Sequence, residues 1–278
     1  MALQGSNVFF QITNNMREFT WVAGGTGFIF LMTCLGAAMV FFFRQRTSRM
    51  MQTLFLGFAA GVMVAAAVFG LLSPAIDEAK AMGYIGWLPA AGGCVLGALF
   101  LFGLDKLIPH LHPATNVQEG LSSSMKRTTM LISAVTLHNI PEGMAVGLSF
   151  ALAAQHGGEP AMYVSAVALA LGIGIQNFPE GAAISLPLRQ EGMKTGKAFL
   201  LGCASGIVEP VFGFAMVFLS GWIAPLMPWM LAFAAGAMLY VVIEELIPEA
   251  HLGEHSNIGT LSVMTGFVLM MILDVALG

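Results

Sequence analysis

Long apolar stretches, recurring through the whole chain, constrain this sequence more than anything else in it. A helix that crosses the hydrocarbon core of a bilayer needs about 20 mostly apolar residues. Eight such segments can be read, at 21–43, 51–72, 85–108, 128–153, 161–188, 196–220, 225–247 and 258–277. The connectors are short, so the expected fold class is all-α: one polytopic transmembrane helix bundle over residues 1–278, with no second domain. Charge excludes the soluble alternative. Only 9% of the 278 residues are charged, against about 25% in an average soluble domain, and lipid is the solvent that fits. A net charge of −4 gives no reason to expect nucleic acid. Cys34, Cys94 and Cys203 fall inside apolar runs, far apart in sequence, and read as small packing residues rather than disulfides. Residues 1–20 carry Gln4, Asn7, Asn14, Asn15, Arg17 and Glu18 and lack the apolar core of a cleavable signal.

Lys and Arg set the orientation. Arg44, Arg46, Arg49, Lys106, Lys126, Arg127, Arg189, Lys194 and Lys197 flank connectors on one side, and only Arg17 and Lys80 lie on the other. This positive-inside bias puts both termini outside the cytoplasm, as an even number of crossings requires. The chain also repeats itself. Phe58-Ala-Ala-Gly61 in segment two matches Phe233-Ala-Ala-Gly236 in segment seven, with Pro74 and Pro248 further on. Asn139-Ile-Pro-Glu142-Gly in segment four matches Asn177-Phe-Pro-Glu180-Gly in segment five. The members of each pair cross in opposite senses, the plan of inverted-repeat transporters, which hold substrate near the midplane.

Glu142, Glu180 and Glu209 lie within segments four, five and six. Each carboxylate at bilayer depth costs about 2.5–3.5 kcal/mol on the insertion scale, so three require roughly 8–10 kcal/mol of compensation. No Lys or Arg occurs deep in any segment, which leaves protons or a metal cation as partners. Residues four apart on a helix lie about 40° from each other around the axis, and residues three apart about 60°. His138, Asn139 and Glu142 therefore share one face, and Gln176, Asn177 and Glu180 share the equivalent face of the next segment; Glu209 can close the ring. Pro141, Pro179 and Pro210 remove a backbone donor beside each carboxylate and predict kinks there. Imidazole with carboxylates and carboxamides suits zinc, and also iron, manganese or cadmium. The donors exceed one four-coordinate shell: two ions sharing Glu142 and Glu180 is the sharper reading, one ion with spare ligands the plainer one. Met63, halfway along segment two, reads as core filler.

These residues resemble the ZIP (Zrt/Irt-like) metal transporters, in particular the bacterial GufA-like branch. The resemblance covers segments two to eight and centres on His138-Asn-Ile-Pro-Glu142-Gly, Gln176-Asn-Phe-Pro-Glu180-Gly and Ser205-Gly-Ile-Val-Glu209-Pro. It implies an eight-helix fold with inverted three-helix repeats around two central helices, a homodimer, and influx of zinc, or of cadmium, iron or manganese, across a bacterial inner membrane. It also implies a paired metal site: Met63, His138, Glu142, Gln176 and Glu180 for one ion, and Asn139, Glu142, Asn177, Glu180 and Glu209 for the other. Some relatives have an aspartate where this chain has Asn177, so the second position loses a charge here.

Several residues stay open between an exit path and ordinary solvated ends: His110, His112 and Asp105 after segment three, and Glu244, Glu245, Glu249 and His251 at the inner end of segment seven. Asp77 and Glu78 are placed to attract cations at the outer mouth, while His156 and His255 have no assigned role. The expected protein is not an enzyme. A metal-dependent intramembrane hydrolase is the alternative from another class, but HExxH, GxSxG and a second membrane-embedded His are missing. No Walker A sequence occurs either. A fluorescent reporter that folds only in the cytoplasm should stay dark when fused after Gly278; a bright fusion would reverse the orientation.

Overall fold

The computed structural model describes residues 2–43, 48–108, 110–111, 118–119, 127–250 and 257–277, with side chains at 19–43, 48, 50–108, 132–133, 135–248, 250 and 257–277. The elements are α1 (Ala2–Ala37), α2 (Arg49–Ala65), α3 (Ser73–Ala81), α4 (Trp87–Leu107), β1 (His110–Leu111), β2 (Gln118–Glu119), α5 (Arg127–Gln155), α6 (Pro160–Gln190), α7 (Thr195–Ser205), α8 (Val208–Ile223), α9 (Met227–Val241), α10 (Ile247–Ala250) and α11 (Asn257–Leu277). The two short strands pair antiparallel in the connector after α4. Ser48 caps α2 by accepting the Met51 amide at 3.2 Å. Gly83 and Gly192, both at positive φ, end α3 and α6: the next amide in each case turns back to a helix carbonyl, Tyr84 to Ala79 and Met193 to Leu188.

Among the described residues, six helices are long and apolar enough to cross a membrane: Phe19–Phe41, Met50–Ala81, Trp87–Leu107, Pro160–Gln190, Thr195–Leu246 and Asn257–Leu277. Eight segments were expected, and the difference has two causes. The fourth segment is α5, diluted by His138, Asn139, Pro141 and Glu142. The sixth and seventh share the 52-residue run Thr195–Leu246, which at about 1.5 Å per residue is far too long for one crossing of a core about 30 Å thick. That run is interrupted at Gly206–Ile207 and by a 3-10 turn at Ala224–Leu226.

The repeat read in the sequence reappears in the packing. The most extensive helix contacts pair α4 with α9, α2 with α11, α1 with α6, and α5 with α8. Counted by segment, these are third with seventh, second with eighth, first with fifth and fourth with sixth. Exchanging first with sixth, second with seventh, third with eighth and fourth with fifth maps this set onto itself. Atomic contacts follow the same exchange. A Cβ on Gly61 would strike the Val263 carbonyl, and one on Gly236 the Cys94 carbonyl. In return, Gly266 lies against the Phe58 carbonyl and Gly97 against that of Phe233. Both Phe-Ala-Ala-Gly blocks thus use their first carbonyl and last glycine to bring two backbones together, as small residues do in lipid. Each block is followed by a π-helical stretch, Ala66–Leu72 and Val242–Leu246, ahead of Pro74 and Pro248. A proline blocks the ordinary bond to the carbonyl four residues back, and a wider turn accommodates it.

Segment six corrects the simple picture of three proline kinks. Helices α5 and α6 run on through Pro141 and Pro179, whereas the break between α7 and α8 puts Pro210 in the first turn of α8, where an amide donor has no helical partner to lose. Replacing Gly97 by Leu forces side-chain atoms into the Phe233 backbone, while Gly103 on the same helix has no atom within 4 Å of an added Cβ. Gly97→Leu should lower the thermal midpoint in detergent by the equivalent of about 1–3 kcal/mol or more, and Gly103→Leu should not; equal midpoints would refute the α4–α9 contact.

Candidate metal centre

The buried polar residues collect where α5, α6 and the α7–α8 break meet. Asn139, Glu142, Gln176, Asn177 and Glu209 have no exposed surface, and Glu180 and His138 retain only 7% and 8%. The helical spacing accounts for this: each Asn-x-Pro-Glu block turns its amides and carboxylate to the same interior face. Glu209 arrives differently. Tight turns from Gly206 to Cys203 and from Ile207 to Ala204 stop α7, and α8 restarts at Val208 with Glu209 in its first turn. The positive end of a helix dipole favours an anion there.

Hydrogen bonds tie the elements together. Gln176 Nε2 donates to Glu142 Oε1 at 2.6 Å, joining α6 to α5. Asn177 Nδ2 donates to Glu209 Oε1 at 2.9 Å, and Thr33 Oγ1 on α1 reaches the same oxygen at 3.3 Å. Asn139 Nδ2 donates to the Ser205 carbonyl at 3.2 Å, at the last residue of α7. Glu142 lies within electrostatic reach of both Glu180 and Glu209, and Glu180 within reach of His138. The three carboxylates therefore belong to one buried polar region. After these bonds, Asn139 Oδ1, Glu142 Oε2, Gln176 Oε1, Asn177 Oδ1, Glu180 Oε2 and Glu209 Oε2 remain buried with no hydrogen-bond partner. Every one is an acceptor, and a buried acceptor without a donor is costly. Among the described residues no three His, Cys, Asp or Glu side chains are drawn together closely enough to hold an ion by themselves. An ion in this region has to draw on the carboxamide oxygens as well.

Met63 is fully buried in the apolar core on α2, a helix that packs along α6, and takes no part in the hydrogen-bond network. Glu245 was not recognised as an interior residue. It is 6% exposed, and its Oε1 stands 2.7 Å from His138 Nε2, whereas Glu244 is exposed. Spacing alone does not separate the two acids: Glu245 follows the buried Met238, Val241 and Val242 at helical intervals, and Glu244 follows the buried Ala237 and Val241 at helical intervals too. Thr33 and Ser205 were also missed as site neighbours, Thr33 because nothing in its apolar run marks it. Asp105 is buried and accepts from Tyr240 Oη at 3.2 Å. At the other end of the bundle, Glu78 stands 3.2 Å from His156 Nε2, and Asp77 pairs with Lys80 at 3.1 Å, so both acids placed at the outer mouth hold a nitrogen partner. His112, His251 and His255, together with Arg44, Arg46 and Lys126, lie outside the described residues, as do the side chains of His110 and Glu249.

The family signature described as ZIP Zinc transporter matches residues 110–274. The chain belongs to the ZIP family. It is 40% identical to Zinc transporter ZIPB of Bordetella bronchiseptica, over 92% of this chain and 81% of that one. It is 41% identical to Zinc transporter GufA of Myxococcus xanthus, over 76% and 81%. The human Zinc transporter ZIP11 is 36% identical over 91% of this chain and 96% of its own. All three are named zinc transporters, and none lends support to the hydrolase alternative. Within this ZIP chain, Asn177→Asp should destabilise the metal-free protein by about 1–3 kcal/mol, because the Glu209 carboxylate exchanges a donor for a second acceptor. A thermal melt in detergent containing a chelator measures it, and an unchanged midpoint would place the Asn177 amide away from Glu209.

Proposed function

We propose that this chain carries zinc across the membrane into the cytoplasm, through a pathway lined by His138, Asn139, Glu142, Gln176, Asn177, Glu180 and Glu209, with Met63 as a soft ligand at its edge. The observation that carries the reading is the set of unpartnered buried oxygens on six of these seven polar residues. A doubly charged ion offsets both the repulsion among the three carboxylates and the missing donors, which no neutral ligand does. A hydrated Zn2+ exchanges water for His138, Glu142 and Glu180, and Gln176 holds Glu142 in place meanwhile. Two ions bridged by Glu142 and Glu180 make use of all the donors, the second held by Asn139, Asn177 and Glu209. Cadmium, iron and manganese have the chemistry to follow zinc through the same ligands.

Alternating access has a mechanical basis in the packing. One group of helices comprises α1, α5, α6, α7 and α8, and the other α2, α3, α4, α9 and α11; the four most extensive contacts all fall within a group. The site residues other than Met63 and Glu245 ride on the first group. The His138–Glu245 contact spans the two, and relative movement has to break it, freeing the imidazole for the ion. Both termini outside the cytoplasm, residence in a bacterial inner membrane and a homodimer complete the proposal. The apolar side chains of Val95, Leu96, Leu99, Phe100 and Phe102, exposed on α4, suit lipid or a second copy.

Zinc uptake into liposomes containing the purified protein tests this directly. Glu142→Ala and Glu180→Ala should each reduce uptake to the level of empty liposomes, with the folded protein recovered by gel filtration. Wild-type rates in both variants would remove these residues from the route.

A further inference from the structure

Cysteines 34 and 203, distant in sequence, meet at the seam between α1 and α7. The two helices approach closely there. A Cβ added to Gly206 would lie 3.1 Å from Thr33 Cβ, and one added to Gly202 would lie 2.7 Å from Ala37 Cβ. Cys34 falls between Thr33 and Ala37 on α1, and Cys203 between Gly202 and Gly206 on α7, so the same two contacts bracket both. Each cysteine follows a contact residue by one position, which puts Cys34 and Cys203 on the same side of the seam and within electrostatic reach of each other. Both side chains are half-buried, a setting open to a reagent dissolved in lipid. Cys94 is on α4, in the other helix group. All three cysteines are free, as the sequence reading has it.

We propose that Cys34 and Cys203 form a dithiol site for soft, thiophilic electrophiles, taking trivalent organoarsenic or a two-coordinate ion such as Hg2+ as a bridge between α1 and α7. With an arsenic oxide, two S–H bonds break and two As–S bonds form. The oxygen leaves with the two protons as water, and no atom changes oxidation state. With Hg2+, two protons are released and two S–Hg bonds form. Holding two thiols in place makes the second bond intramolecular, which raises the affinity far above that of a lone cysteine. Occupation has a consequence for the metal route. Thr33, next to Cys34, donates to Glu209, and Ser205, two residues beyond Cys203, accepts from Asn139. A bridge fixes these two supports against each other and should slow transport. This last step rests on the proposed zinc pathway; formation of the bridge does not.

The test uses purified full-length protein in detergent and phenylarsine oxide as the probe. In Cys94→Ser, which retains only this pair, one arsenical per chain should abolish maleimide labelling of both thiols, and dimercaprol should restore it. Intact mass should show the adduct surviving gel filtration in wild type and Cys94→Ser but not in Cys34→Ser or Cys203→Ser. Labelling that persists in treated Cys94→Ser, or a retained adduct in either single variant, would overturn the site. In liposomes the arsenical should slow zinc uptake several-fold in wild type and leave Cys34→Ser unaffected; equal inhibition of both would overturn the coupling to transport. No zinc uptake by untreated protein would defeat the transport reading while leaving the mass and labelling results to decide the dithiol.

Discussion

Anionic side chains held in a lipid-shielded interior are what the rest of this molecule has to support. Glu142, Glu180 and Glu209 occupy three helical elements and are almost wholly withdrawn from solvent. Charged groups in such a place are tolerated only when paired or when they line an ion path. The amides around them do part of the work: Gln176 holds one carboxylate oxygen of Glu142, and Asn177 with Thr33 holds one of Glu209. The other oxygens stay unpartnered. Glu142 and Glu209 are thus each oriented by a donor on one oxygen while the other oxygen has none.

The surrounding scaffold is built for close approach rather than for hydrophobic burial, since lipid offers no driving force to push apolar helices together. Glycines set against carbonyls on the facing helix recur in both halves, at Gly61 and Gly236 and again at Gly97 and Gly266. At the site the same device appears between α5 and α8, where Gly143 lies against the Glu209 backbone. A side chain at Gly143 would push Glu209 away from the other two acids. The glycines that close the helix pairs thus also set where the buried acids stand, and two interlocked helix groups result. His138 and Glu245, one from each group, meet across the boundary.

Much of this was legible from one strand of text because the relevant patterns are local. Apolar runs about 20 residues long report membrane helices, and Asn-x-Pro-Glu-Gly at helical spacing reports a shared polar face. The Phe-Ala-Ala-Gly repeat reported the symmetry, and the packing carries it down to paired carbonyl contacts. What could not be read was local geometry decided by a neighbour. Segment six was expected as one kinked helix and is two, because tight turns at Gly206 and Ile207 end α7 just before Glu209. Glu244 and Glu245 read alike in the sequence as a helix mouth, and the structure buries Glu245 while leaving Glu244 exposed. The dithiol of Cys34 and Cys203 has no sequence signal, since a large separation along the chain says nothing about distance in space.

Sequence alone determined the helical membrane architecture, the inverted pairing of its segments and the buried set of acids and amides. These follow from hydropathy, helical periodicity and the cost of unpaired charge, which need no knowledge of neighbours. Tertiary structure alone decided which oxygens are held and which are left open, which acid of a pair turns inward, and which cysteines share a helix seam. Those outcomes depend on how closely one backbone approaches another, and that distance is fixed by glycines on helices far apart in the chain.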